Sequence, residues 1–163
     1  MTDAAQRSIP PLSPYIVCKD AAGAIDFYVA AFGARVQHKL LAPDGKVFHA
    51  ALTLNDGALL MIGEEAPHYG ALSPVALKGT PVTLHLAVAD CDASVKRAAD
   101  AGATVAMPPS DMFWGDRYGQ VIDPFGHRWS FGHKLRDMTP EDIQAAAAKM
   151  FANAPGCDET KGG

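Results

Sequence analysis

A chain of 163 residues with 48% hydrophobic and 20% charged residues has the make-up of an ordinary globular protein, which excludes a disordered or collagen-like polymer. At that length it can bury roughly 70% of the surface its unfolded form exposes, so it needs no metal or disulfide staple to fold. Fourteen Lys+Arg against eighteen Asp+Glu give a formal charge of −4 with no basic stripe, and nucleic acid is therefore not an expected partner.

Cys18, Cys91 and Cys157 form no CxxC pair, which points to a reducing compartment and away from a disulfide framework or a thiolate zinc site. No apolar run suits a signal sequence or a membrane span, so a cytoplasmic protein without a membrane partner is expected. Residues 1–11, with Asp3, Arg7 and Pro10-Pro11, read as a flexible arm. A strand over Tyr15–Lys19 then leads into a helix over Ala21–Phe32. Asp20 is its N-cap, Ile25, Tyr28 and Phe32 are its apolar stripe, and Gly33 is its left-handed end. Strands Arg35–Ala42 and Lys46–Asn55 flank the hairpin signal Pro43-Asp44-Gly45, and Asn55-Asp56-Gly57 turns the chain into Ala58–Gly63. Residues 65–79, punctuated by Pro67, Gly70, Pro74 and Gly79, form an irregular linker.

The second half repeats the order. A strand over Val82–Ala89 precedes a helix that starts at Asp90 or Asp92, runs to Ala101 and closes at Gly102. Thr104–Met107 reads as a strand, Pro108–Trp114 as a loop, and Tyr118–Ile122 and His127–Gly132 as strands around the turn Asp123-Pro124-Phe125-Gly126. The helices exit through the same phrase, Gly33-Ala34-Arg35-Val36 and Gly102-Ala103-Thr104-Val105, which implies an internal repeat with a period of about 69 residues. A last helix is predicted over Thr139–Ala152, capped by Thr139 and carrying an apolar side of Ile143, Ala147, Met150 and Phe151 that must pack on something. Residues 153–163 read as a flexible tail.

The expected fold class is α+β: two paired βαβββ modules (12–64 and 80–133) within one domain spanning 12–138, forming a curved mixed sheet with an internal cavity, plus the C-terminal helix 139–152. Strand alternation decides which side chains face that cavity. Ile16 and Cys18 meet a helix, leaving Ser13, Tyr15 and Val17 opposite. His49, Ala51 and Thr53 oppose Ala50, Leu52 and Leu54, and Thr83 and His85 oppose Leu84 and Leu86. Arg128 and Ser130 oppose Trp129 and Phe131, with Trp129 expected in the core. Trp114 and Tyr118 would supply flat walls, and Arg117 or Arg128 a cation. Asp116 and Arg117 are expected to pair as a salt bridge. The candidate ligand-binding set is Tyr15, His49, Thr83, His85, Trp114, Tyr118, Arg128 and Ser130, suited to a small molecule with polar and flat apolar parts.

The phrases Ala24-Ile25-Asp26-Phe27-Tyr28, Phe113-Trp114-Gly115-Asp116-Arg117-Tyr118-Gly119 and Asp123-Pro124-Phe125-Gly126-His127-Arg128-Trp129-Ser130 resemble the vicinal oxygen chelate superfamily. That superfamily includes glyoxalase I, extradiol dioxygenases and bleomycin-binding proteins, and the second half is similar to its PhnB-like branch. The resemblance implies a U-shaped sheet and a homodimer. It also implies, for metal-dependent members, one His, Gln or Glu ligand on each of four strands. Carried onto this chain, those positions fall at Ser13, Thr83, Ser130, and Met61 or Gly63, none of them a good donor to a divalent cation. The expectation is therefore a protein without metal or cofactor that sequesters or carries an aromatic or polycyclic compound. The alternatives are a lyase or dioxygenase with a displaced metal held by His49, His85 and Glu64 or Glu65, and a metal-free isomerase using His49 or His85 as base.

Overall fold

A computed structural model describes residues 12–55 and 57–152. The expected arm and tail, Asp56 and Cys157 lie outside the described residues. Strand β1 (Tyr15–Cys18), helix α1 (Ala21–Phe32) and strands β2 (Arg35–Leu41), β3 (Val47–Leu54) and β4 (Ala58–Glu64) form the first repeat. Strand β5 (Thr83–Ala87), helix α3 (Cys91–Asp100) and strands β6 (Thr104–Asp111), β7 (Asp116–Ile122) and β8 (Arg128–Lys134) form the second. Between them lie a 3-10 turn (Pro67–Tyr69) and a single turn of helix, α2 (Pro74–Leu77), within the stretch expected to be irregular.

Each repeat makes its own four-stranded mixed sheet, ordered β1-β4-β3-β2 and β5-β8-β7-β6, with the first strand parallel to the last. The duplication extends to irregularities. Register shifts fall between Val36 and His38 in β2 and between Val105 and Met107 in β6. Both helices start the same way. Asp20 Oδ1 accepts from the Gly23 amide at 2.9 Å and Asp90 Oδ1 from the Ala93 amide at 2.9 Å. The first helical N–H is met from the end of the repeat's last strand, Ala21 by the Glu64 carboxylate at 3.0 Å and Cys91 by His133 Nδ1 at 3.0 Å. At the far end of α1, Gly33 takes the left-handed conformation (φ 67°) that stops the helix.

One buried cluster spans both repeats. Tyr28 and Phe32 on α1 reach across to Trp129, with ring centroids 5.3 and 4.8 Å away, and Phe32 also meets Phe131. Trp129 is thus core, as expected. Asp123 is a buried junction as well as a turn residue. Its Oδ2 accepts from the Tyr28 hydroxyl (2.7 Å) and the Trp129 indole (2.8 Å), and its Oδ1 from the Phe125 and His127 amides (2.9 Å each). His127 Nε2 donates to the Val17 carbonyl at 3.1 Å, tying β1 to the same turn.

Several expectations need correction. Strand β6 runs through Pro108 and Pro109 to Asp111 where a loop was expected. The prolines are tolerated because β6 is the sheet's edge and its register with β7 is interrupted between Met107 and Ser110, where they sit. Asp116 and Arg117 do not pair. Neighbours on a strand point to opposite faces, so Arg117 turns outward to Asp92 (2.7 Å) and Asp111 (2.8 Å), while Asp116 accepts from the Trp114 indole at 3.1 Å. Val82, expected to open the strand over Val82–Ala89, precedes β5 and is exposed. Helix α4 (Pro140–Ala152) forms, with Thr139 Oγ1 accepting from the Asp142 amide at 3.1 Å, but none of its residues is buried and Met150 and Phe151 are exposed. Its short apolar stripe touches too little of the body to be covered.

Candidate functional site

The helix-free faces of the two sheets carry the candidate residues in two matched groups. In the first, the Tyr15 ring on β1 lies 5.6 Å from the His49 ring on β3, and the His38 ring on β2 lies 5.2 Å beyond. The Tyr15 hydroxyl sits 3.5 Å from His49 Nδ1 and 3.5 Å from the Phe48 carbonyl, both long for a hydrogen bond. Gly63 on β4 lies between. A Cβ there would come within 2.6 Å of the Tyr15 oxygen and 3.0 Å of the Phe48 carbonyl. Burial first, and the adjacent His38 charge second, push the His49 imidazole below its ordinary 6.5. At neutral pH it is an uncharged acceptor and donor.

The second group repeats this plan with the partners exchanged. His85 on β5 lies parallel to Tyr118 on β7 (12° between planes, centroids 6.1 Å apart), and Gly132 on β8 leaves the gap that the imidazole crosses. A Cβ on Gly132 would meet His85 Cε1 at 3.0 Å. The strand pairings place Met61 beside Tyr15 and Ser130 beside His85, so Tyr15 corresponds to His85, His49 to Tyr118 and Gly63 to Gly132. A His–Tyr pair bridges a glycine in each half. His85 Nδ1 bonds the buried Ser130 hydroxyl at 2.9 Å. Arg128 Nη1 donates to Gln120 Oε1 at 3.1 Å, and Gln120 Nε2 donates to the Tyr118 hydroxyl at 2.9 Å. Trp114 stands edge-on to Tyr118 with centroids 5.7 Å apart.

Six of the eight candidates are thus brought into contact with at least one other: Tyr15 with His49, His85 with Ser130 and Tyr118, and Tyr118 with Trp114. Arg128 joins through Gln120, and the side chain of Thr83, exposed opposite Arg128 in the register, makes no hydrogen bond among the described residues. The hydrogen bonds and ring contacts of these side chains stay within their own half. The two halves face each other along the seam between the edge strands β1 and β5. There, a cleft of about 370 Å³ is walled by Tyr15, Val17, Leu84 and Arg128, and another of about 300 Å³ by Pro14, Leu59, Leu60 and His85.

Sequence reasoning missed His38, Gln120 and Gly132, and reached Gly63 only as a position where metal-dependent relatives carry a ligand. Alternation placed His49 on the right face but gave no reason to look across the hairpin to His38. The glycines and Gln120 were accessible through the repeat, since positions 63 and 132, and 49 and 118, share one offset.

The four positions where metal-dependent relatives would carry ligands hold no chelating set. Ser13 Oγ is shut from solvent without a hydrogen-bond partner among the described residues, Thr83 is a bare hydroxyl, Ser130 is engaged by His85, and Met61 is the repeat partner of Ser130. Among the described residues, no three His, Cys, Asp or Glu side chains are grouped to hold a metal ion. Glu64 and Glu65, the acids that a displaced site would need, accept instead from the backbone amides of Ala21 (3.0 Å) and Ser73 (2.8 Å).

This duplicated βαβββ scaffold is that of the Glyoxalase/Bleomycin resistance protein/Dioxygenase superfamily, whose family model matches residues 9–131. The chain belongs to that superfamily. An uncharacterized protein of Mycobacterium bovis is 50% identical over 144 residues, covering 86% of this chain and 94% of the relative. An uncharacterized protein of Arabidopsis thaliana is 30% identical over 125 residues, covering 73% and 75%. The X-ray structure of an Arabidopsis gene product superposes with a TM-score of 0.62 at 26% identity, covering 77% of this chain and 100% of that one. TioX from Micromonospora sp. ML1 superposes with a TM-score of 0.61 at 28% identity, covering 76% and 98%. No helix among the described residues is long and apolar enough to cross a membrane.

Proposed function

We propose that this chain is a small-molecule-binding member of its superfamily, of the PhnB-like branch. In this reading it sequesters or carries an aromatic or polycyclic compound without a resident metal ion and works as a homodimer. The observation that carries the reading is the substitution of hydroxyls, rings and a guanidinium for chelating donors. His85, Tyr118 and Trp114 offer flat surfaces, Ser130, Gln120 and Arg128 offer hydrogen bonds, and the positions of the four expected ligands hold side chains that divalent cations take poorly.

The test is a thermal-shift screen of aromatic compounds and oxoacids, run with and without added Zn²⁺, Ni²⁺ or Mn²⁺. Stabilisation by an aromatic compound, independent of the metal, is the expected result through mass-action linkage. One tightly held divalent ion per chain, removed together with ligand binding, would overturn the reading. Light scattering that gives the mass of a single chain would overturn the dimer.

A second reading has one observation in its favour. His49 is held neutral by burial and by His38, so it could take a proton from a bound substrate as the base of a metal-free isomerase. His49→Gln retaining binding while abolishing turnover of a bound compound is the result it requires.

A further inference from the structure

The polar chain across the second sheet has a fixed direction, and the direction says what lies at its end. Arg128 can only donate, so the amide end of Gln120 that meets its Nη1 at 3.1 Å is the carbonyl. The NH₂ end must then face Tyr118, donating to the phenol oxygen at 2.9 Å. An amide nitrogen cannot accept in return. The Tyr118 proton therefore points away from Gln120, and no acceptor among the described residues takes it. Arg128 has no carboxylate partner among the described residues, which leaves its Nε and Nη2 protons unused. The acid on this face, Asp116, pairs with Lys134 in the register at the opposite end of β7, whereas Arg128 pairs with Ile122, and its Oδ2 is occupied by the Trp114 indole.

The chain of donors belongs to one half alone. The repeat places Ala51 where the second half has Gln120 and Leu59 where it has Arg128, so the first sheet keeps the His–Tyr pair and lacks everything that would polarise it. A phenol donor and a guanidinium, flanked by the faces of His85 and Trp114, form a surface of aromatic rings with surplus hydrogen-bond donors and a positive end.

We propose that this face selects aromatic acids: a planar ring carried against His85, Tyr118 and Trp114, with its carboxylate taking the Tyr118 proton and the free Arg128 donors. The inference rests on the reading of the chain as a binding protein and adds the charge and polarity of its ligand. Tyr118 becomes the residue that sets specificity, and Gln120 the positioning residue that aims its proton.

The experiment titrates the full chain with three probes of one shape: 2-naphthoate, 2-naphthamide and 2-naphthylmethylammonium. Naphthoate is expected to bind about tenfold tighter than the amide, the size of a hydrogen bond to a charged acceptor, and the ammonium most weakly. Tyr118→Phe keeps the ring and should narrow the gap between naphthoate and the amide to what Arg128 alone supplies. Gln120→Glu supplies an internal acceptor that turns the phenol proton inward, so the preference should reverse toward the ammonium. That reversal is something a loss of folding cannot produce. Equal binding of the three probes, or an acid preference that survives Gln120→Glu, overturns the polarity and leaves the binding reading standing. Binding of none of the probes overturns both.

Discussion

Asp123→Asn tests whether the two repeats are held together by a buried carboxylate. The side chain is 4% exposed and its two donors from the rings, Tyr28 and Trp129, are 0% and 1% exposed. Asparagine matches the shape and replaces one acceptor oxygen by a donor. If the NH₂ group faces the rings, the phenol can turn to accept, but the indole N–H loses its partner. If it faces the turn, the Phe125 and His127 amides lose theirs. Either way at least one buried donor is left unmet, at about 1–3 kcal/mol, and the remaining bonds lose the strengthening that a charged acceptor gives them.

The sum is about 3–4 kcal/mol, a large part of the roughly 5–15 kcal/mol that holds a domain folded. Urea unfolding at pH 7 reads it as a fall in midpoint at unchanged slope. Tyr28→Phe should cost less, and the double variant should fall short of the sum because both changes act on the same bond. A loss below about 1 kcal/mol for Asp123→Asn would refute the view that this carboxylate is the fastening between α1 and the second sheet.

Three further outcomes follow from the geometry. Gly132→Ala places a methyl 3.0 Å from His85 Cε1, so the ring must shift by a few tenths of an ångström against Tyr118; aromatic probe binding should weaken several-fold at a stability cost of about 1 kcal/mol, and unchanged binding by titration calorimetry would contradict the bridge. Tyr28 is raised well above its ordinary 10.0 by burial first and by the Asp123 charge next, and Cys18 is raised above 9.0 by burial and then by Asp123. The unfolded chain therefore releases these protons first. The stability they contribute is fully present below about pH 9 and drains away as pH climbs toward the raised folded values, so the urea midpoint should fall between pH 9 and 10.5 and fall less steeply in Tyr28→Phe. His38→Ala removes the second cause of the lowered His49 value, and an NMR titration should find the His49 midpoint moved up toward 6.5 without reaching it, because burial remains.

What the sequence exposed and what it hid divide along the reach of the interactions. Asp20, Gly33 and the α1 stripe act within a few residues, and α1 has the bounds read from them. Alternation likewise put Tyr15, His49, His85 and Ser130 on the open faces, because a strand's period of two needs no tertiary knowledge. The failures are contacts between elements. Arg117 has three acids within reach in the chain, and only the packing of α3 and β6 against β7 selects Asp92 and Asp111 over its neighbour Asp116. The prolines of β6 read as a loop because nothing local reveals that the strand is an edge. Asp123 looked like a turn residue because its two bonds to the turn are local, while the bond to Tyr28 spans the two repeats. The apolar side of α4 is visible in the sequence and does not find a surface in the fold.

The duplication separates what the scaffold needs from what the face does. Positions that set backbone geometry keep their role in both halves: the aspartate caps, the shifts in β2 and β6, and the glycines that let a ring cross the last strand. Even where the residue changes, the duty persists, for Glu64 and His133 both take the first N–H of their helix. On the open faces the substitutions change polarity instead of geometry, as when Ala51 answers to Gln120, Leu59 to Arg128, and Tyr15 and His49 to His85 and Tyr118. A pair of sheets built alike but lined differently gives one half a neutral ring surface and the other a ring surface with donors and charge.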